Sequence, residues 1–171
     1  ATHLLDVHRI SRSKRLDIAL RALALLPPEY HLTHYGRPQD PRSDPAYGDE
    51  LNALVKELHL ESRVRFMGSV PMPELRRIYP RFTTFINMVP RTIDKTVLEA
   101  MYAGLTPVIT RGHAEAIGYS DAPADDSPRA VAVFIQALKP MSREELRRVV
   151  EERHSLKALI EKMAAYIRLG N

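Results

Sequence analysis

Cysteine is absent from the chain, which excludes a disulfide framework and any thiolate metal site. No apolar run approaches the roughly 20 residues that a membrane-spanning helix requires. The first residues, Ala1 to Arg9, lack a signal-peptide layout and read as a strand. A chain that opens inside a fold element is expected to be a fragment of a longer protein. Aromatic residues make up only 6% of the sequence and do not interleave with the basic ones, so the stacking platform of a nucleic-acid binder is missing. No Ser/His/Asp arrangement, Gly-rich phosphate loop or strict dinucleotide fingerprint is recognisable. Internal repeats and low-complexity tracts are also lacking.

What is present describes one globular domain. The 171 residues, 44% apolar and 27% charged, suffice to bury a real core. The net charge of +4 comes from arginines spread along the chain. Runs such as Arg76-Arg77 and Arg147-Arg148 read as solvated helix faces, the alternative being attraction to phosphates or an anionic membrane surface. A cytoplasmic setting is compatible with these properties. The basic residues permit peripheral membrane contact, but no amphipathic anchor compels it.

Hydrophobic spacing predicts alternating strands and helices. Strands are expected at 3–8, 30–35, 64–67, 82–88 and 105–110. Between them, Leu16, Leu20, Leu23 and Leu26 mark a helix stopped by Pro27-Pro28. Further helices are expected from Asp49, over Pro73 to Tyr79, and from Lys95 to Ala103 with Gly104 as its stop. The stretch from Gly112 to Ser127 reads as polar and irregular. Helices then follow from Pro128, from a Ser142/Glu145 capping box, and along Leu156, Leu159, Ile160, Met163 and Ile167. Strand–helix alternation implies an α/β fold, an open parallel sheet with helices on both faces.

Ligands of such sheets bind beyond the carboxyl ends of the strands. After the first strand, Arg9 and Lys14 could neutralise a diphosphate at a helix N-terminus; the competing reading is two solvated cations. Gly36 and Gly68 permit tight turns and close backbone approach. After the fourth strand, Thr92, Asp94, Lys95 and Thr96 surround the start of a helix, with Asp94 suited to N-cap it. Glu99, one turn further, could accept hydrogen bonds from a vicinal diol such as ribose. The seven histidines form no metal signature. His31 and His34 point to opposite strand faces, and His8 and His113 lie near the binding edge with no evident carboxylate partner.

The motifs Val7-His8-Arg9, Lys14-Arg15-Leu16-Asp17, Tyr35-Gly36-Arg37-Pro38, Val64 to Val70 and Val97-Leu98-Glu99-Ala100-Met101 through Ile109 occur in a fixed order. Read together they resemble the C-terminal domain of group 1 (family 4) glycosyltransferases of the GT-B fold, over about residues 1–110. The resemblance implies a donor site for a UDP- or GDP-type nucleotide sugar across the whole chain, 1–171, and an acceptor site on an N-terminal domain outside it. It implies that Arg9 and Lys14 hold the diphosphate. Glu99, the second Glu of the family's paired-Glu motif, would grip the ribose. Arg65, Met67 and Val70 would line the base pocket. Transfer would retain configuration, usually without an essential metal.

Three positions depart from the family. His8 stands where Gly is usual, Arg91 replaces the motif's first Glu, and Asp94-Lys95 replaces a Gly-containing turn. The catalytic residue is therefore unassigned, with Asp94 a candidate. The reading carried forward is a glycosyltransferase donor domain. Its rivals are a nucleotide-binding module without transfer activity, serving regulation or assembly, and an unrelated doubly wound domain for another phosphorylated ligand.

Overall fold

Five strands pair in the order β3-β2-β1-β4-β5, all parallel. They are β1 (His3–Val7), β2 (His31–Tyr35), β3 (Val64–Phe66), β4 (Thr84–Asn87) and β5 (Thr106–Ile109). The helices are α1 (Leu16–Ala24), α2 (Pro45–Glu57), α3 (Met72–Ile78), α4 (Lys95–Ala103), α5 (Arg111–Ile117), α6 (Pro128–Ala137) and α7 (Arg143–His154). The computed structural model describes residues 2–37 and 45–155. The expected helix from Leu156 to Ile167, and Pro38 in the loop after β2, lie outside the described residues. No helix among the described residues is long and apolar enough to cross a membrane.

Alternation along the strands divides the core in two. Leu4, Leu32, Ile86 and Val108 face one way and pack with Leu16, Leu20 and Leu23 of α1, Leu51 and Leu54 of α2, and Val131 and Ile135 of α6. Leu5, Val7, Phe85 and Ile109 face the other way, against Leu75 of α3, Val97 and Met101 of α4, Ile117 of α5 and Leu146 of α7. Each such fully buried Leu, Ile or Val contributes about 1.5–3 kcal/mol relative to exposure. Burial on both faces is why these strands read as apolar runs, and it produces the expected three-layer α/β/α arrangement.

Helix ends follow local chemistry. The side chain of Asp94 accepts from the Thr96 amide at the start of α4, and Gly104 closes that helix in the left-handed region at φ 98°. Ser127 caps α6, and the Ser142/Glu145 capping box opens α7 as expected.

The structure corrects the expected irregular stretch after Gly112. Arg111–Ile117 is the helix α5, capped by the Thr110 side chain and closed by left-handed Gly118. Its inward face is His113, Ala114 and Ile117, so a buried histidine takes a place that an apolar residue would have marked. The turn at Ser11–Ser13 is likewise more ordered than expected: Arg12–Lys14 form one turn of 3-10 helix, followed by Arg15 in the left-handed region at φ 53°.

Candidate functional site

Because the strands are parallel, their carboxyl ends share one edge. The chain winds outward from β1 through β2 to β3, then returns to β4 on the other side of β1. The crevice between β1 and β4 is thus the topological switch point, where loops diverge and leave room for a ligand. Asp94 sits there. Lys14 Nζ donates to its Oδ2 at 2.6 Å, across 80 residues of sequence. Thr96 donates to Oδ1 through its hydroxyl at 2.8 Å and its amide at 3.1 Å. Asn87, at the end of β4, adds a longer contact from Nδ2 to Oδ2 at 3.4 Å. Burial pushes the Asp94 carboxyl up, but the bonds from Lys14 and Thr96 outweigh it and hold the group below the usual carboxylate range.

His113 supports this cluster from below. Its Nε2 accepts from the Asp94 backbone N–H at 3.3 Å, so the ring proton resides on Nδ1. Nδ1 is buried with no partner among the described residues. Burial lowers the pKa of His113 to about 4, against the pull of Asp94 and with help from the Lys14 charge. The imidazole is neutral at physiological pH and presents only a lone pair to Asp94. Thr110 fixes the same corner: it accepts from the His113 amide at 3.2 Å, and its hydroxyl reaches the carbonyls of Val89 and Pro90 at 2.8 and 2.7 Å.

Glu99 lies one turn along α4 and opens into a separate cavity of about 460 Å³, lined also by Met72, Arg76, Tyr79, Leu98 and Tyr102. The Tyr79 hydroxyl donates to Glu99 Oε2 at 3.4 Å. Burial raises the Glu99 carboxyl above its ordinary value despite that bond and the nearby Arg76. A half-buried carboxylate with spare acceptor capacity beside an apolar floor suits a sugar hydroxyl pair next to a flat ring.

A second polar cluster lies under the loop after β1. Asp6, His8 and His34 are all buried. His8 Nε2 and His34 Nδ1 both donate to Asp6 Oδ2 at 2.9 Å. His8 therefore has a carboxylate partner, contrary to the sequence expectation; it directly follows β1, two residues after Asp6, and its amide still bonds to the Tyr35 carbonyl at the end of β2. His34 is buried within β2, while His31 at its first position is only partly so. The side-chain atoms of the trio lie within 4.8 Å of one another, a spacing that a metal ion can span. The positions a metal would take are filled by the two N–H protons directed at Asp6, so the chemistry fits a hydrogen-bonded network better than a metal centre.

The structure thus gathers Lys14, Asp94 and Thr96 at the switch point, with Asn87, which the sequence did not connect to it, and with His113, expected near the binding edge and found against the Asp94 backbone. Arg9 is exposed on the rim after β1, and Lys95, Arg91 and Thr92 are exposed at the mouth of α4. Gly36 packs under the His8 carbonyl so closely that a Cβ there would collide with it. Met67 is exposed and Val70 packs against the α3 side of the core. Arg65 is not drawn to the Lys14–Asp94 cluster; its guanidinium lies near enough to His3, at the opposite end of β1, to help lower that imidazole's pKa behind the effects of burial and His31.

The fold recurs in known glycosyltransferase structures. HepE of Anabaena, solved with UDP and glucose, superposes with a TM-score of 0.82 at 17% identity, over 98% of this chain and 48% of that one. Sucrose-phosphate synthase of Thermosynechococcus elongatus gives 0.81 at 22% identity, over 98% and 45%. The catalytic domain of cholesterol-alpha-glucosyltransferase from Helicobacter pylori gives 0.62 at 17% identity over the whole of both chains. The chain spans about half the length of the first two structures. No curated protein sequence matches it significantly. The family model for glycosyl transferases group 1 matches residues 1–140, and on that match the chain belongs to the group 1 glycosyltransferases.

Proposed function

We propose that this chain is the nucleotide-sugar-binding half of a retaining glycosyltransferase, working with an acceptor-binding N-terminal domain. The observation that carries the proposal is the Lys14–Asp94–Thr96 cluster at the switch point of a group 1 glycosyltransferase fold. HepE, which has the same fold, was solved with UDP and with UDP-glucose, which supports a UDP-type donor here. A GDP-type donor fits the same seat.

In this reading Arg9, Lys14 and the free N–H groups at the start of α4 receive the diphosphate. Lys14 turns from Asp94 toward the phosphate oxygens, or shares its protons between them. Glu99 accepts from the ribose hydroxyls, and Met67 and Val70 belong to the base pocket. As the glycosidic bond to the leaving diphosphate breaks, negative charge grows on its bridging oxygen. Cations and backbone N–H groups already aimed there stabilise that charge without reorganisation and without calling on a metal ion. Asp94 lies beside the leaving group, where it orients Lys14.

Arg91 is the observation that favours the alternative, a nucleotide-binding module without transfer activity, because a cation occupies the place of the motif's first Glu. Calorimetry of the chain against UDP, GDP and ADP tests the donor site, and silence at millimolar concentrations removes it. Assay of the full-length protein for donor hydrolysis or transfer separates the two readings: tight nucleotide binding with no turnover selects the module.

A further inference from the structure

The His8 side chain stands where the family usually has no side chain at all, and both of its ring nitrogens face acceptors. Nε2 lies 2.9 Å from Asp6 Oδ2, and Nδ1 lies 2.9 Å from the Arg9 carbonyl oxygen. Neither oxygen carries a proton to give when Asp6 is ionised, so both bonds require hydrogens on the imidazole. Only the doubly protonated ring supplies two. The backbone around it is fixed as well: the His8 amide donates to the Tyr35 carbonyl at 3.1 Å, and the Ile10 amide to Arg37 at 2.8 Å. Arg9 is thus suspended between two backbone hydrogen bonds, with its own carbonyl held by the ring of the preceding residue.

We propose that His8, as a buried imidazolium, is the positioning residue of the diphosphate seat: it fixes the Arg9 backbone and places a titratable positive charge beneath the loop that receives the phosphates. This inference rests on the donor-site reading above. It makes nucleotide binding sensitive to pH.

The groups facing His8 are Asp6 in β1, His34 on β2 with ring centroids 5.0 Å apart, and Lys14 on the 3-10 turn. Burial alone would lower the pKa of His8, but the Asp6 charge and hydrogen bond and the Arg9 carbonyl raise it above the ordinary value, against a smaller opposing push from Lys14. When pH rises through that raised value the ring loses one proton. The N–H toward Asp6 survives because its acceptor is charged. Nδ1 then turns a lone pair on the Arg9 carbonyl, and the seat loosens. A diphosphate arriving beside Lys14 and Arg9 reverses this by stabilising the imidazolium, so binding takes up protons.

The test is titration calorimetry of the 171-residue chain with UDP between about pH 7.5 and 9, where the phosphate is essentially fully ionised, in buffers of different ionisation enthalpy. A one-unit rise in the His8 pKa on binding corresponds to about tenfold weaker UDP affinity at the alkaline end, with net proton uptake between. His8→Gln should bind UDP more weakly at the lower end of that range and lose both the pH dependence and the uptake. UDP binding that is independent of pH and proton-neutral, or a pH dependence that persists in His8→Gln, overturns the inference while leaving the donor site intact. If UDP is silent at every pH the titration is made with GDP and ADP instead, and silence of all three overturns the donor site itself and the inference with it. If His8→Gln does not fold, nitrogen NMR of the wild-type ring decides: both His8 nitrogens protonated at pH 7, with a titration moved upward by UDP, supports the role, and a singly protonated ring at pH 7 refutes it.

Discussion

Protonating His113 should dismantle the switch-point cluster, and the size of the effect follows from its surroundings. The neutral ring accepts the Asp94 N–H, and its other nitrogen is buried with no partner among the described residues. A second proton would set N–H against N–H beside the Lys14 charge, so the folded state resists it and the pKa falls from 6.5 to about 4. In the unfolded chain the ring titrates normally. The stability due to a neutral His113 is therefore complete above 6.5 and is lost as pH falls toward 4, where the unfolded state holds the extra proton and the folded state does not. At about 1.4 kcal/mol per unit this amounts to roughly 3 kcal/mol over the interval. The assay is urea unfolding of the wild type and His113→Gln at half-unit steps from pH 8 to 4. Other carboxylates titrate in both proteins and largely cancel in the difference. The wild type should lose about 3 kcal/mol relative to the variant as the solution is acidified. A difference that stays flat over that range would refute the tautomer and the buried, neutral state on which the site geometry rests.

Three other perturbations probe separate links. Glu99→Ala should weaken UDP binding by about 1–3 kcal/mol, the cost of losing charge-assisted hydrogen bonds, with unfolding stability changed far less; unchanged affinity in calorimetry takes Glu99 out of the site. Gly36→Ala puts a Cβ into the His8 carbonyl and should cost about 2–4 kcal/mol of stability by denaturant unfolding; a neutral result would mean that the loops after β1 and β2 are not in contact. Asp94→Asn keeps a cap acceptor and removes the charge facing Lys14, whereas Asp94→Ala removes both, so the second should be less stable by about a further 1 kcal/mol; equal stabilities would show that the carboxylate is not capping α4.

The parallel sheet was legible because its strands are buried on both faces and its helices carry apolar stripes. The α4 boundaries were legible because Asp94 and Gly104 are the residue types that such ends require. Helix α5 was hidden by the residue that gives it interest: a histidine on the inward face breaks the apolar period. The partnership of His8 with Asp6 lay within the expected strand 3–8, whose alternation puts the two on one face; the observed strand stops at Val7, but the His8 amide still bonds to Tyr35. Its extension to His34 needed the β1–β2 register, which pairs Asp6 with His34 and which no local pattern in either strand records. The Lys14–Asp94 pair is of the same kind, since nothing near either residue announces a partner 80 positions away.

That separation has a consequence for how the protein acquires its binding competence. Lys14 follows the central strand β1 and Asp94 follows β4, so the two meet only after β4 has docked on β1. A chain in which only β2 and β3 have joined β1 has Lys14 without its counter-ion and α4 without its place in the crevice. Contacts of such long range form late and slowly, because the loop between them must close first. A diphosphate bridging the β1 and β4 units would act as a clasp on the finished fold. It would slow unfolding and raise the melting temperature with the logarithm of its concentration once that exceeds Kd. A ligand-dependent shift in unfolding rate would thus report on the joint between β1 and β4 as well as on the seat.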